Sequence, residues 1–194
     1  MENSNPHLLY NYRRCPYVMR TRMALVRGKV PFVCEDIVFC DKPQAMLDAS
    51  PKGTVPVLIL NDGTVLDESI DIIKWALPDE WQIANHDLIA ANDGWFKAAL
   101  DAYKYPDKYP EITHNDARDK GLEFISQLDA IVNTDNLTLT DICIFPFIRQ
   151  FHGVDSDWFD GLPYENTKAW LNWCIESNLF QTIFDKQFKG VVAV

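Results

Sequence analysis

Over its first 77 residues the chain switches repeatedly between the two-residue period of a strand and the 3.6-residue period of a helix. His7-Leu8-Leu9-Tyr10 is a short apolar run. Cys15-Pro16 then opens a stretch with Met19, Met23 and Val26 at i, i+4 and i+7, closed by Gly28. Residues 32–38 are β-branched and aromatic, and predict a second strand. Pro43 starts a short helix over 44–48. Strands follow at 57–60 and 64–66, joined by Asn61-Asp62-Gly63, whose Asp-Gly pair is a hairpin signal. Residues 69–77 read as a helix with Ile70, Ile73 and Leu77 on one face.

After Leu77-Pro78-Asp79-Glu80 the two-residue period disappears. The spacing predicts helices over 85–103, 115–132, 138–151, 164–176 and 179–188, with no further strand. Two domains are expected, at 1–77 and 85–194, with a linker over 78–84. The first has the order β-α-β-α-β-β-α, a βαβ unit followed by a hairpin and a helix. That is a thioredoxin-like α/β arrangement, for which about 75 residues suffice. The second is all-α. Thr138-Leu139-Thr140-Asp141 has the spacing of a capping box with Asp in the last position. It precedes a run apolar almost all round, the expected core of this domain, in which Pro146 is expected to kink the helix.

Composition narrows the function classes. The 194 residues are 47% hydrophobic and 24% charged, an ordinary globular balance, and the formal net charge is −10. A nucleic acid or anionic membrane surface as main partner would call for a basic footprint instead. The N-terminus shows no leader-type apolar run, and no window approaches the roughly 18 apolar residues of a membrane span. Five cysteines without a CxxC pair suit neither a disulfide framework nor a zinc cage, and the four histidines are scattered. Reduced thiols in the cytoplasm, and no metal, are the expectation.

Cys15 stands where the first strand hands over to the first helix. Pro16 fits the first helical turn, so the thiol sits at or near the N-cap, where free amides and the helix dipole favour thiolate. Arg13, Arg14 and Arg20 offer further positive potential. Cys34, Cys40, Cys143 and Cys174 read as small buried hydrophobes. Val55-Pro56 precedes the third strand; with a cis bond, Val55 would offer its N–H and C=O to an extended peptide, and a trans loop proline is the other possibility. Asp67-Glu68-Ser69 opens the next helix. Ser69 is a candidate N-cap and carboxylate site, and Glu68 a partner for an ammonium group.

Together, Cys15-Pro16-Tyr17, Ser50-Pro51-Lys52-Gly53-Thr54-Val55-Pro56-Val57-Leu58 and Asp67-Glu68-Ser69 resemble the N-terminal domain of the glutathione transferase superfamily. The version they most resemble is the cysteine-based omega class, with the larger two-domain glutaredoxins behind it. The resemblance implies the glutathione transferase fold, with glutathione as co-substrate and Cys15 forming the mixed disulfide. It further implies that Val55 binds the cysteinyl backbone and Glu68-Ser69 the γ-glutamyl end. Lys42 would stand near the glycyl carboxylate, and Thr54 would line the same site. The Thr138–Asp141 cap resembles the one that starts the central helix of these proteins.

Val18 stands where a dithiol site would carry a second cysteine, so glutathione must supply the resolving sulfur. A cysteine in place of a catalytic Tyr or Ser hydroxyl favours a thiol transferase or dehydroascorbate-type reductase over a conjugating enzyme. A conventional conjugating transferase and a non-catalytic interaction protein of the same fold remain as alternatives. The second substrate, a small hydrophobic molecule or a disulfide, is expected between the domains, with Trp95, Phe96, Tyr103, Tyr105 and Tyr109 as candidate wall residues. The resemblance leaves the oligomeric state open: transferases of this type are often homodimers, whereas two-domain glutaredoxins can be monomeric.

Overall fold

A computed structural model of the protein describes residues 6–191; the first five residues of the stretch read for a leader lie outside them. The chain divides into two compact units. One runs to Ile83 and resumes at Asn178, and the other is Ala84–Ser177.

The first unit begins with β1 (His7–Asn11), α1 (Pro16–Arg27), β2 (Phe32–Asp36) and α2 (Gln44–Ala49). It continues with β3 (Val57–Ile59), β4 (Val65–Leu66), α3 (Ser69–Ala76) and α4 (Pro78–Gln82). β1 and β2 are parallel, as a helical crossover requires, whereas β3 and β4 run antiparallel to their neighbours. The hairpin closes as the Asp-Gly pair predicts, with Gly63 N–H donating to the Leu60 carbonyl at 2.9 Å.

Alternation along β1 and β3 builds two cores. Leu9 pairs with Leu58 and Tyr10 with Val57, and successive side chains leave opposite faces of the pleat. Leu9 and Leu58 pack with Leu25 of α1, Ile72 of α3 and Phe32. Tyr10 and Val57 pack with Val18, Met46 of α2, Ile37 and Val55. These residues are almost fully buried, and each large one contributes about 1.5–3 kcal/mol through removal from water.

The second unit is helical: α5 (His86–Ala91), a π-helical turn (Asn92–Phe96), α6 (Lys97–Lys104), α7 (His114–Asp129), α8 (Leu139–His152), α9 (Ser156–Asp160) and α10 (Glu165–Glu176). The helix predicted over 85–103 is thus interrupted where the π turn places Phe96 against Phe124, ring centroids 4.5 Å apart. α8 carries nine buried residues, Pro146 among them. Its capping box forms: Asp141 N–H donates to Thr138 Oγ1, and the Asp141 carboxylate accepts from Thr138 N–H. The same carboxylate accepts from the indole N–H of Trp170 at 2.9 Å, so the cap also ties α10 to α8.

The tail departs from expectation. The helix read over 179–188 is α11 (Asn178–Phe184), and it packs on α1 of the first unit. It is followed by a strand the sequence did not suggest, β5 (Gly190–Val191), antiparallel to β2. The sheet order is therefore β4-β3-β1-β2-β5. The helical half read to the chain end thus stops at Ser177, and the linker read over 78–84 is largely α4. Gly190 takes φ +108, and a Cβ there would stand 2.1 Å from the Phe32 carbonyl oxygen. Only a glycine lets the tail lie this close to β2.

Candidate functional site

Cys15 is the N-cap of α1, in extended conformation, with Pro16 in the first turn. Its thiol is partly accessible and makes no cap hydrogen bond, so the sulfur is not spent on holding the helix start. The turn before it closes through Cys15 N–H to the Tyr12 carbonyl at 2.9 Å. The sulfur lies 4.0 Å from the carbonyl oxygen of Val55, and the Val55-Pro56 bond is cis. Thr54, the preceding residue, is exposed.

Lys42 belongs to the same loop system. Gly53 has φ +62, and a Cβ at that position would stand 3.3 Å from Lys42 Nζ. The glycine therefore lets the lysine lie over the loop leading to Val55. The ammonium also sits 5.9 Å from the Phe39 ring centroid.

At the start of α3 the structure corrects one expectation. Glu68, not Ser69, occupies the N-cap position, and it makes no side-chain cap bond. Ser69 is the first helical residue, buried, and its hydroxyl accepts from Arg20 Nε at 3.1 Å and Nη2 at 2.8 Å. Arg20, read as a source of surface potential, is only 1% exposed; it ties α1 to α3. Two donors use both lone pairs of the hydroxyl, which leaves the O–H as its remaining bonding function.

Glu68 meets an ammonium from within the protein. Lys52 Nζ lies 2.6 Å from Glu68 and 3.1 Å from Asp67. Asp67 in turn accepts from the buried Ser50 hydroxyl at 2.8 Å. That bond, with Lys52 and against partial burial, holds the Asp67 carboxyl below the usual carboxylate range. The Lys52–Glu68 pair is solvent-exposed, so water screens it and it is weakly held. In the sequence Ser50 and Lys52 stand out only as part of the Ser50–Leu58 motif. Their partner lies 15–17 positions on, and no local spacing signals that pairing.

Arg22 was also missed. Its i, i+2 relation to Arg20 suggests opposite helix faces, yet both are buried. Arg22 Nη2 donates to the Arg13 carbonyl at 3.1 Å. Burial pulls its guanidinium down to about 10, against the pull of Cys34, Asp36 and Cys15, which all lie within its field. Arg13 donates to the Phe184 carbonyl and stacks on that ring, and Arg14 is exposed. Burial also pushes the Cys34 thiol up to about 11. Cys143 and Cys174 are fully buried, as read, but Cys40 is exposed and is no core residue.

Of the aromatic wall candidates in the second unit, Phe96 and Tyr103 are core residues, 0% and 1% exposed. Trp95 packs edge-on to Phe124, Tyr105 is exposed and Tyr109 half-buried. Among the described residues no group of three or more His, Cys, Asp or Glu side chains is placed to hold a metal. None of the described helices is long and apolar enough to cross a membrane.

A βαβ unit, hairpin and helix with a cysteine at the first helix start, followed by a helical unit, define a class that comparison with known proteins identifies. The family model for the glutathione S-transferase N-terminal domain matches residues 9–79. A probable glutathione transferase from Aplysia californica is 30% identical over 83 residues, 42% of this chain and 90% of that protein. The glutathione S-transferase DHAR2 of Arabidopsis thaliana is 37% identical over 67 residues, 34% of this chain but only 30% of that protein. Among solved structures, glutathione transferase Omega 3C from Trametes versicolor superposes with a TM-score of 0.73 at 16% identity, covering 92% of this chain and 90% of that one. A glutathione transferase family member from Pseudomonas fluorescens, solved with two glutathione bound, gives 0.76 at 16% identity, covering 95% and 94%. The chain belongs to the glutathione transferase superfamily and has its fold.

Proposed function

We propose that the protein is a glutathione-dependent thiol transferase with Cys15 as its nucleophile. The observation that carries this reading is the Cys15 sulfur at the start of α1, 4.0 Å from the backbone carbonyl of Val55. An extended γ-glutamyl-cysteinyl-glycine unit pairing with the Val55 backbone as an added strand would bring its own sulfur beside Cys15. Its γ-glutamyl carboxylate would accept from the Ser69 O–H and the α3 amides, and its ammonium would meet Glu68. Lys42 would neutralise the glycyl carboxylate, with Thr54 beside it.

The Cys15 thiolate attacks the glutathionyl sulfur of a mixed disulfide RS–SG. The new bond is Cys15–S–SG, and RS⁻ leaves and takes a proton. A second glutathione thiolate then attacks the Cys15 disulfide, releasing GSSG and restoring the Cys15 thiolate. Net, RSSG and GSH give RSH and GSSG. The positive helix end and the Arg22 charge favour the thiolate at both stages. Val18 at the second-cysteine position supports glutathione, rather than a protein thiol, as the resolving group.

The test is incubation with glutathione disulfide followed by mass spectrometry, expecting one glutathione on Cys15. Cys15→Ala is expected to abolish thiol transfer and adduct together, and Cys15→Ser to gain conjugating activity. Undiminished thiol transfer by Cys15→Ala would refute the assignment.

A further inference from the structure

Within the first unit an open cavity of about 480 Å3 lies at the C-terminal ends of β1 and β2. Asn11, Arg13, Arg14, Asp36 and Lys186 are among its lining residues. Its wall and the Cys15 thiol belong to one structure, the turn of residues 12–15. The Cα atoms of Tyr12 and Cys15, the ends of such a four-residue turn, lie within about 7 Å of each other.

Three cations line the cavity and one carboxylate. That carboxylate is already engaged, one Asp36 oxygen with Asn11 Nδ2 and the other with Lys189 Nζ at 2.7 Å. The uncompensated charge is therefore positive, in a chain whose net charge is −10. Arg13 is held in place by the Phe184 carbonyl at 2.9 Å and by its ring, so it is a fixed wall rather than a mobile arm. Asn11 supplies a second, independent feature. It is 1% exposed, and its side-chain carbonyl oxygen has no hydrogen-bond partner. A buried acceptor without a donor calls for one, and a ligand N–H in the cavity would provide it.

We propose that this cavity receives the departing thiol, R, of the mixed disulfide and selects peptide-type thiols that carry both a carboxylate and an amide N–H. The carboxylate meets Arg14 and Lys186, and the N–H donates to the Asn11 carbonyl oxygen. The inference rests on the thiol-transfer reading and names its substrate class. The reaction is unchanged: the S–SG bond breaks, Cys15–SG forms, and the R thiolate departs into a positive field that stabilises it.

The test uses the full chain and four glutathione mixed disulfides that differ only in R. These are N-acetylcysteine (carboxylate and N–H), 3-mercaptopropionate (carboxylate alone), 2-mercaptoethanol (neutral) and cysteamine (cationic). The expected order of kcat/KM is that order. The anionic-to-cationic ratio should shrink as salt is added, because exposed charges are screened. Lys186→Glu, at an exposed position beyond α11, should lower the ratio about threefold to tenfold, the scale of reversing one exposed charge. A single kcat/KM for all four disulfides, or a ratio unmoved by Lys186→Glu, overturns this inference while leaving thiol transfer in place. A tie between N-acetylcysteine and 3-mercaptopropionate overturns the role of Asn11. No transfer from any of the four overturns the thiol-transfer reading itself, and this inference with it.

Discussion

Ser69→Ala is expected to act twice, on the fold and on glutathione binding, and the two effects can be separated. The substitution removes the oxygen that accepts from Arg20 Nε and Nη2 at 3.1 and 2.8 Å. Both residues are almost fully buried, so water does not readily replace the lost acceptor. A hydrogen bond to a charged group contributes about 1.5–3 kcal/mol, and two on one oxygen share its capacity. A loss of about 2–4 kcal/mol follows, a large share of the roughly 5–15 kcal/mol that holds a typical protein folded. For a chain of this size each kcal/mol lowers Tm by about 2–4 °C, so calorimetry should find a drop of roughly 4–16 °C. Arg20→Met with Ser69→Ala removes charge and acceptor together and should cost less than the sum of the single changes, with a coupling of at least about 1 kcal/mol. Below the lowered Tm, titration calorimetry should show glutathione binding weakened about tenfold, through loss of the O–H donor. A Ser69→Ala protein within about 0.5 kcal/mol of the parent, or an additive cycle, would sink the claim that this hydroxyl holds Arg20.

Three further outcomes follow from other parts of the molecule. Asp141→Ala removes both the α8 cap, worth about 0.5–2 kcal/mol, and the partner of the Trp170 indole, whose loss costs about 1–3 kcal/mol; unfolding should show the combined loss, and Trp170→Phe a smaller one. Gly190→Ala should detach β5, since the new Cβ meets the Phe32 carbonyl oxygen; hydrogen exchange at the Cys34 amide, bonded to Lys189 O at 2.9 Å, should become fast, and unchanged protection would exclude β5 as its shield. Partial burial works to raise the Asp36 carboxyl, but Lys189 and Asn11 outweigh it and hold it below the ordinary 3.8. Its stabilising effect is therefore present above that value and lost as pH falls through the lower folded one: tail protection should persist at about pH 5 and decline in stronger acid, and loss already at about pH 5 would contradict the depressed carboxyl.

What the sequence determined by itself was whatever depends on neighbours along the chain. The strand–helix alternation to residue 77, the Asp-Gly hairpin, the helix starting at Pro16 and the Thr138–Asp141 cap are all set within a few residues. The same holds for Cys15 at its helix start, because the N-cap position follows from Pro16 alone. Even the π-helical break at Asn92–Phe96 lay inside a segment correctly read as helical, its position chosen by the packing of Phe96 on Phe124.

Tertiary structure decided what depends on residues far apart in sequence. β5 is two residues long, too short to show a period, and exists because the edge of β2 offers unpaired backbone groups to it. Arg20 and Ser69 lie 49 positions apart, so a serine that reads locally as a cap becomes the acceptor for a buried guanidinium. Lys52 reads as a surface charge until folding sets it against Asp67 and Glu68. The cavity lined by Asn11, Arg13, Arg14, Asp36 and Lys186 combines β1, β2 and the segment after α11, which no local pattern connects. The sequence could single out Cys15 at its helix start; the charges and acceptors around that turn were assembled only by the fold.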